Sequence, residues 1–242
     1  MSDAVLHAEG VEVRFGGLQA LRNAGVDVHR GSITGLIGPN GAGKTTLFNV
    51  ITGFQTAYAG TVTLDGRDVT RLGPHARARK GIARTFQKLE AFNSLSARDN
   101  ILVAAERRHG RHRAAEVADQ VIAQIDLGHV ADVTVGTLPT GTARLVELAR
   151  ALACEPSVLL LDEASSGLDE EETAAVGTLL ERLVSESDVG ILLVEHDMAF
   201  VMRICRRIHV LDFGQIIASG TPEEVRDDPA VRAAYLGTEG EV

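Results

Sequence analysis

One short segment constrains this chain more than any other. Gly38-Pro39-Asn40-Gly41-Ala42-Gly43-Lys44-Thr45 fits the phosphate-binding loop pattern G-x-x-x-x-G-K-[ST]. The apolar run Ile33-Thr34-Gly35-Leu36-Ile37 precedes it and reads as a buried strand. The segment Lys44 to Thr52 follows with the length of a helix, and Gly53 is placed to end it. Strand, glycine loop and helix is the order that turns backbone N–H groups and a helix N-terminus toward phosphate oxygens. A nucleoside triphosphate is the expected ligand, with Lys44 reaching the β- and γ-phosphates and the Thr45 hydroxyl on Mg²⁺.

Two further apolar runs, Val158 to Leu161 and Ile191 to Val194, read as strands buried on both faces of a parallel sheet, which makes the fold α/β. The first runs into Asp162-Glu163 and the second into Glu195-His196-Asp197. Open α/β sheets bind ligands at strand C-terminal ends, where these polar groups fall. Asp162 suits the metal-holding position, directly or through its water shell, and Glu163 suits polarising an attacking water. An acidic pair after a strand is also a common helix N-cap. A neutral His196 imidazole both donates and accepts, so it can bridge a γ-phosphate and the water it orients.

Charge and composition exclude other classes. A formal net charge of −9 over 242 residues opposes nonspecific nucleic-acid binding, which needs a positive surface. Cys154 and Cys205 lack metal-ligand spacing and are too few for a disulfide framework, so both are expected to be small buried residues in a reducing compartment. No basic n-region with an apolar h-region opens the chain, and no apolar run approaches the roughly 20 residues that span a bilayer. Between Gln87 and Pro156 the period becomes helical, over Asp99 to Ala105, Ala114 to Ile125 and Thr142 to Leu152, the last with Leu145, Leu148, Ala149 and Leu152 on one face.

Taken together and in order, these residues resemble the nucleotide-binding domain of ATP-binding cassette (ABC) transporters. The resemblance rests on Phe15 in Arg14-Phe15-Gly16-Gly17, the phosphate loop, Gln87 in Ala83-Arg84-Thr85-Phe86-Gln87, Asp162-Glu163, Ser166-Gly167-Leu168-Asp169, and His196. It implies one domain, 1–242, with a mixed, mainly parallel sheet core, an antiparallel β subdomain, and a helical subdomain at 88–156 inserted between core segments 1–87 and 157–242. ATP and Mg²⁺ are the implied ligands. Gly38, Pro39, Asn40, Gly41, Ala42, Gly43, Lys44, Thr45 and Thr46 would hold the nucleotide, and Phe15 would stack on adenine. Thr45, Gln87 and Asp162 would serve the metal, with Glu163, His196 and Gln87 catalytic. Phe15 also alternates with Val11 and Val13, so the pattern alone equally allows a strand-core residue.

The signature loop departs from the family. In place of L-S-G-G-Q stands Leu138-Pro139-Thr140-Gly141-Thr142, and proline offers the γ-phosphate neither a hydroxyl nor an N–H. In the family each ATP lies between one subunit's phosphate loop and the other's signature, with Asp169 at the opposite subunit. The expectation is a pairing with a second, non-identical cassette subunit, giving one competent site on this chain's Glu163 and one weakened by Pro139. The alternative is a tolerated variant in a homodimer, since helix N–H groups still bind anions.

Thr46-Leu47-Phe48-Asn49-Val50-Ile51-Thr52-Gly53, Gly81 to Gln87, and the tail Gly220-Thr221-Pro222-Glu223-Glu224 through Ala234-Tyr235-Leu236-Gly237 are similar to ATPase subunits of high-affinity branched-chain amino acid importers. That similarity implies two integral membrane permeases, a second ATPase, an extracytoplasmic solute-binding protein, no nucleic acid, and a place on the cytoplasmic face of the membrane. Urea and amide importers share many of these segments. A soluble cassette ATPase of repair or translation would carry long coiled coils or tandem cassettes, and neither is present. Arg107-Arg108-His109-Gly110-Arg111-His112-Arg113 is expected to be a solvated loop between helices, the alternative being contact with anionic lipid headgroups or acidic permease loops.

Overall fold

A computed structural model describes residues 4–86 and 90–236. The chain opens with a hairpin of β1 (Ala4–Phe15) and β2 (Leu18–His29), then passes through β3 (Ile33–Ile37), the glycine loop and α1 (Lys44–Thr52). It returns to the hairpin as β4 (Ala59–Leu64) and β5 (Arg67–Asp68), completing an antiparallel sheet of order β2-β1-β4-β5. Next come α2 (Pro74–Lys80) and β6 (Ile82–Arg84), followed by α3 (Ala97–His109), α4 (Arg111–Gln124) and α5 (Thr140–Leu152). The rest of the chain alternates: β7 (Val158–Asp162), α6 (Glu170–Glu186), β8 (Gly190–Val194), α7 (Met198–Ile204), β9 (Arg207–Asp212), β10 (Gln215–Gly220), α8 (Pro222–Asp227) and α9 (Pro229–Leu236).

The second sheet has the order β10-β9-β3-β8-β7-β6 and is parallel except for β10. Strand order reverses about β3, which lies between β8 and β9, so the glycine loop leaves the sheet at a topological switch point. Every residue of β3, β7 and β8 is buried, as their unbroken apolar runs require. Alternate residues feed two cores. Ile33, Ile37, Leu159, Leu161, Ile191 and Leu193 pack beneath the helices, while Leu36, Val158, Leu160, Leu192 and Val194 pack toward the antiparallel sheet.

Local chemistry places the ends of the helices. Gly53 ends α1 in the left-handed region, with its N–H on the Val50 carbonyl. Asp169 with Glu172, and Thr221 with Glu224, form capping boxes at the starts of α6 and α8. Four expectations change. The basic run is not a loop: α3 and α4 meet with only Gly110 between them, because its φ of 71 turns the chain in one residue. α5 starts at Thr140 rather than Thr142, since Pro139 can precede a helix but not sit inside one. Its buried side is also broader than expected, with Val146 and Glu147 inside and Leu145 only half-buried. Cys205 is buried, but Cys154 is half-buried.

Candidate functional site

The glycine loop is held open by backbone geometry. Gly38, Gly41 and Gly43 have φ of 150, 80 and 111, in the region that favours glycine. At Gly38 a Cβ would lie 1.9 Å from the Leu211 carbonyl oxygen on β9, so no side chain fits there. The Ala42 N–H closes onto Pro39 O at 3.2 Å, and Gly214 N–H ties the loop to the β9–β10 turn through Ala42 O at 2.9 Å. The α1 N-terminus has no side-chain cap and no acid in its first turn, so its N–H groups are left to an anion. Lys44 is buried, its ammonium donating to Gly38 O at 2.6 Å and Pro39 O at 2.9 Å. Burial lowers its pKa, and the nearby Glu163 and Asp162 oppose that shift. Asn40, Gly41 and Thr45 are exposed.

β7 and β8 bring the acidic and imidazole groups to the same end of the sheet. Their parallel register sets Asp162 beside Val194, and the Glu163 N–H extends the pairing to Val194 O at 2.9 Å. Glu163 turns there with φ 55, a left-handed conformation that costs a non-glycine residue about 1–3 kcal/mol. The turn aims its carboxylate at His196, whose Nε2 lies 3.1 Å from Glu163 Oε1. The imidazole is half exposed, at 50%, whereas the carboxylate is 18% exposed. Asp162 is buried and is not a helix cap; that role belongs to Asp169.

Three residues join the site that local pattern does not announce. Arg84, at the end of β6, forms an ion pair with Asp162 and a hydrogen bond to Asn49 on α1. Glu195, buried at the end of β8, accepts the Ser165 N–H at 2.7 Å and the His196 N–H at 3.3 Å. Burial raises its pKa, against the pull of those donors. Tyr235 on α9 is hydrogen-bonded to the backbone of Gly38, and burial raises its phenol's pKa. All three stand inside motifs named above, but their partners lie tens of residues away and no spacing rule points to them.

The remaining expected residues divide. Phe15 is 50% exposed, which excludes the strand-core reading; a register shift between Val13 and Arg14 breaks the alternation that would have turned it inward. Gln87 lies outside the described residues. Pro139 precedes α5 with no side-chain cap, Thr140 is exposed, and Gly141 and Thr142 are half-buried in its first turn. A Cβ on Gly141 would lie 2.8 Å from Glu172 Oε1, so the signature turn packs on the start of α6. Asp169 accepts the Glu172 N–H at 2.8 Å, a local role complete within one chain.

Behind this site is a groove of about 510 Å³ between α2, β6, α3 and α5, lined by Phe54, Ile82, Phe86, Phe92, Val103 and Ala104, with Arg79, Arg107 and Arg108 at its rim. Phe54, Phe92 and Val103 are exposed.

Comparison with known proteins gives the same direction. Residues 21–166 match the family model described as ABC transporter, and residues 215–241 match the one described as branched-chain amino acid ATP-binding cassette transporter. The chain is 40% identical to the high-affinity branched-chain amino acid transport ATP-binding protein BraF of Pseudomonas aeruginosa, over 98% of this chain and 99% of that one. It is 37% identical to LivG, the corresponding protein of Escherichia coli, with the same coverage. A solved ATP-binding cassette of an ABC transporter in its ADP conformation superposes with a TM-score of 0.87 at 30% identity, covering 98% of this chain and 100% of that chain.

Proposed function

The chain belongs to the ABC transporter family as an ATP-binding and ATP-hydrolysing cassette, and from that premise we propose that it powers an importer of branched-chain amino acids. The observation that carries the catalytic part is the meeting of Glu163 and His196, 3.1 Å apart, at the strand ends beside the glycine loop. The branched-chain part is supported by the match at residues 215–241 and by the BraF and LivG similarity over nearly the whole chain.

The residues divide the work. The Gly38 to Thr46 backbone and the α1 N-terminus cradle the phosphates, and Lys44 moves its ammonium from the loop carbonyls onto the β- and γ-phosphate oxygens. Glu163 takes a proton from the attacking water, and His196 holds that water's geometry against the γ-phosphate. Phe15 offers an exposed ring to the adenine. The donors available for a metal are the Thr45 hydroxyl and the Asp162 carboxylate. Among the described residues no group of three or more His, Cys, Asp or Glu could hold an ion by itself. That set fits Mg²⁺, which binds through one or two protein oxygens, waters and substrate phosphates. Bound with the triphosphate, Mg²⁺ would neutralise charge on the β- and γ-oxygens.

No described helix is long and apolar enough to cross a membrane, so transport requires permease partners. The groove suits an amphipathic permease helix: most of its lining is apolar, and the exposed Arg79, Arg107 and Arg108 outnumber the exposed Glu90, so an acidic flank on the incoming segment fits. We read 88–156 as the helical subdomain, whose α3 and α5 line this groove, and Gln87 by resemblance as the residue that senses Mg²⁺ and couples to the permease. Two cassettes closing on ATP and reopening after hydrolysis would then move the permeases. Pro139 favours a second, non-identical cassette as partner.

Co-purification from the native host in mild detergent, with the Glu163→Gln chain held in ATP, tests this reading. Two polytopic membrane proteins and a second cassette should accompany the chain. Recovery alone in the soluble fraction would overturn it.

A further inference from the structure

We propose that Arg84 is a positioning residue for Asp162, fixing the carboxylate so that one oxygen is held by the guanidinium and the other is left for the cation. The inference rests on the reading of Asp162 as a Mg²⁺ ligand given above, and adds a residue to which neither the glycine loop nor the acidic pair points.

Arg84 ends β6, the edge strand paired with β7, with Arg84 opposite Leu160. The guanidinium therefore reaches along β7 to Asp162, with Nη2 donating to Oδ2 at 2.7 Å. Nη1 donates to Asn49 Oδ1 at 2.6 Å. The pair is dry, with side-chain exposures of 8% for Arg84 and 10% for Asp162. Aromatic rings hold the guanidinium, which lies 5.4 Å from the Phe48 centroid and 5.1 Å from the Phe86 centroid. Phe86 in turn meets Phe54 edge-on at 6.1 Å. Among the described residues the buried Nε has no hydrogen-bond partner. The buried charge and its two anchors are thus committed to one orientation.

Asn49 lies four residues after Thr45 on α1, and residues at that spacing share a helix face. Arg84 therefore ties together the two elements that supply the metal donors: α1 through Asn49, and β7 through Asp162. A fork with two fixed N–H directions can do this; a lysine, with a single ammonium, cannot bridge both acceptors in the same geometry. Arg84 and Phe86 also line the groove, so the metal ligand and the groove share a side chain.

The test is a Mg²⁺ titration of nucleotide binding by the purified full chain, using a fluorescent ATP analogue, with a parallel measurement in EDTA. Replacing a residue that orients a metal ligand typically weakens metal affinity by about 10- to 100-fold, and Arg84→Met should raise the Mg²⁺ half-saturation point by that order. Nucleotide affinity in EDTA should stay the same. Asn49→Ala keeps both charges and removes one anchor, so its rise should be smaller, about threefold. Arg84→Lys should fall between the two. Should Arg84→Met fail to fold by its melting curve, Asn49→Ala decides. An unchanged half-saturation in the folded variants would overturn the proposal by reducing Arg84 to a structural residue. A lowered one would overturn it by showing that the guanidinium competes with the cation. Nucleotide binding by the unmodified chain that ignores Mg²⁺ would remove Asp162 from the metal, and the proposal with it. That result is separable from the others because it appears without any substitution.

Discussion

The phosphate loop and the signature loop both lead into a helix N-terminus with no side-chain cap, yet they are built differently. At the first, glycines with positive φ, a buried lysine and two carboxylates surround the helix end. At the second stand a proline, two threonines and a glycine packed on the next helix, with no charged residue in the first turn apart from what that helix supplies. If two cassettes close on ATP as proposed, the contrast marks the half of that site which this chain equips. Its phosphate loop and strand ends carry side-chain chemistry, whereas its signature offers mainly backbone N–H groups and the hydroxyls of Thr140 and Thr142. Neighbouring helices show that bare ends are not forced by the fold, since Ser96, Asp169, Asp197 and Thr221 cap α3, α6, α7 and α8.

The largest expected effect lies on the equipped half. Glu163→Gln should lower ATP turnover by about 10²–10⁴-fold, the usual worth of a general base, while ATP binding measured by calorimetry persists. Turnover retained within a few-fold would assign the base elsewhere and remove the contrast between the two loops.

Alanine at the two glycines separates the loops by stability. Gly38→Ala should cost more than about 3 kcal/mol, the upper end of ordinary single substitutions, because its Cβ meets a backbone oxygen at 1.9 Å. Gly141→Ala meets side-chain atoms rather than backbone, the Glu172 carboxylate of the α6 capping box and Leu168 Cδ2 at 3.2 Å, and it gains helix propensity, so its net cost should be smaller, about 1 kcal/mol. Chemical denaturation measures both, and equal costs would show that the signature turn is as tightly built as the phosphate loop.

Acid should act on the sheet behind the phosphate loop. His209 on β9 is buried with its pKa pushed down to about 4 by burial, while Nδ1 meets Ser219 Oγ at 2.8 Å and Nε2 takes the Asp27 N–H at 3.4 Å. Unfolded, it takes a proton near 6.5, the ordinary value for histidine. Its contribution is therefore constant above that pH and turns destabilising as pH falls toward 4, by about 3 kcal/mol in total. His209→Gln should flatten that part of the pH–stability curve; an unaltered curve would mean that the imidazole is already charged in the fold.

The smallest effect separates a cap from a contact. Asp169→Ala should cost about 1 kcal/mol of stability through the lost N-cap, whereas Asp169→Asn keeps the cap. Full turnover in the asparagine variant would leave Asp169 a local residue, and loss of turnover at normal stability would place its charge against another subunit.

Much of this was readable along the chain because it is local. Gly38 to Thr45 states both a backbone geometry and a ligand, and the runs at Ile33, Val158 and Ile191 state strands buried on both faces. Their order alone brings Asp162, Glu163 and His196 to one end of a sheet. Contacts between distant segments were not readable. Arg84 and Asp162 are separated by 78 residues, and Ser165 and Glu195 by 30, so only the strand order makes them neighbours. Phe15 was ambiguous because alternation assumes a regular strand, and the register shift after Val13 breaks it. The basic run reads as a loop because short charge runs are normally exposed, and nothing local shows that Gly110 alone can turn the chain between two helices.

The most direct test of the contrast between the loops is the steady-state ATPase rate of the purified chain alone, with and without Pro139→Ser. If the signature half is the weakened one, the serine restores a hydrogen bond to a charged acceptor and the rate should rise by about tenfold. Cooperative hydrolysis by the unmodified chain at a rate the serine does not change would contradict it, and would make the chain a self-sufficient homodimer.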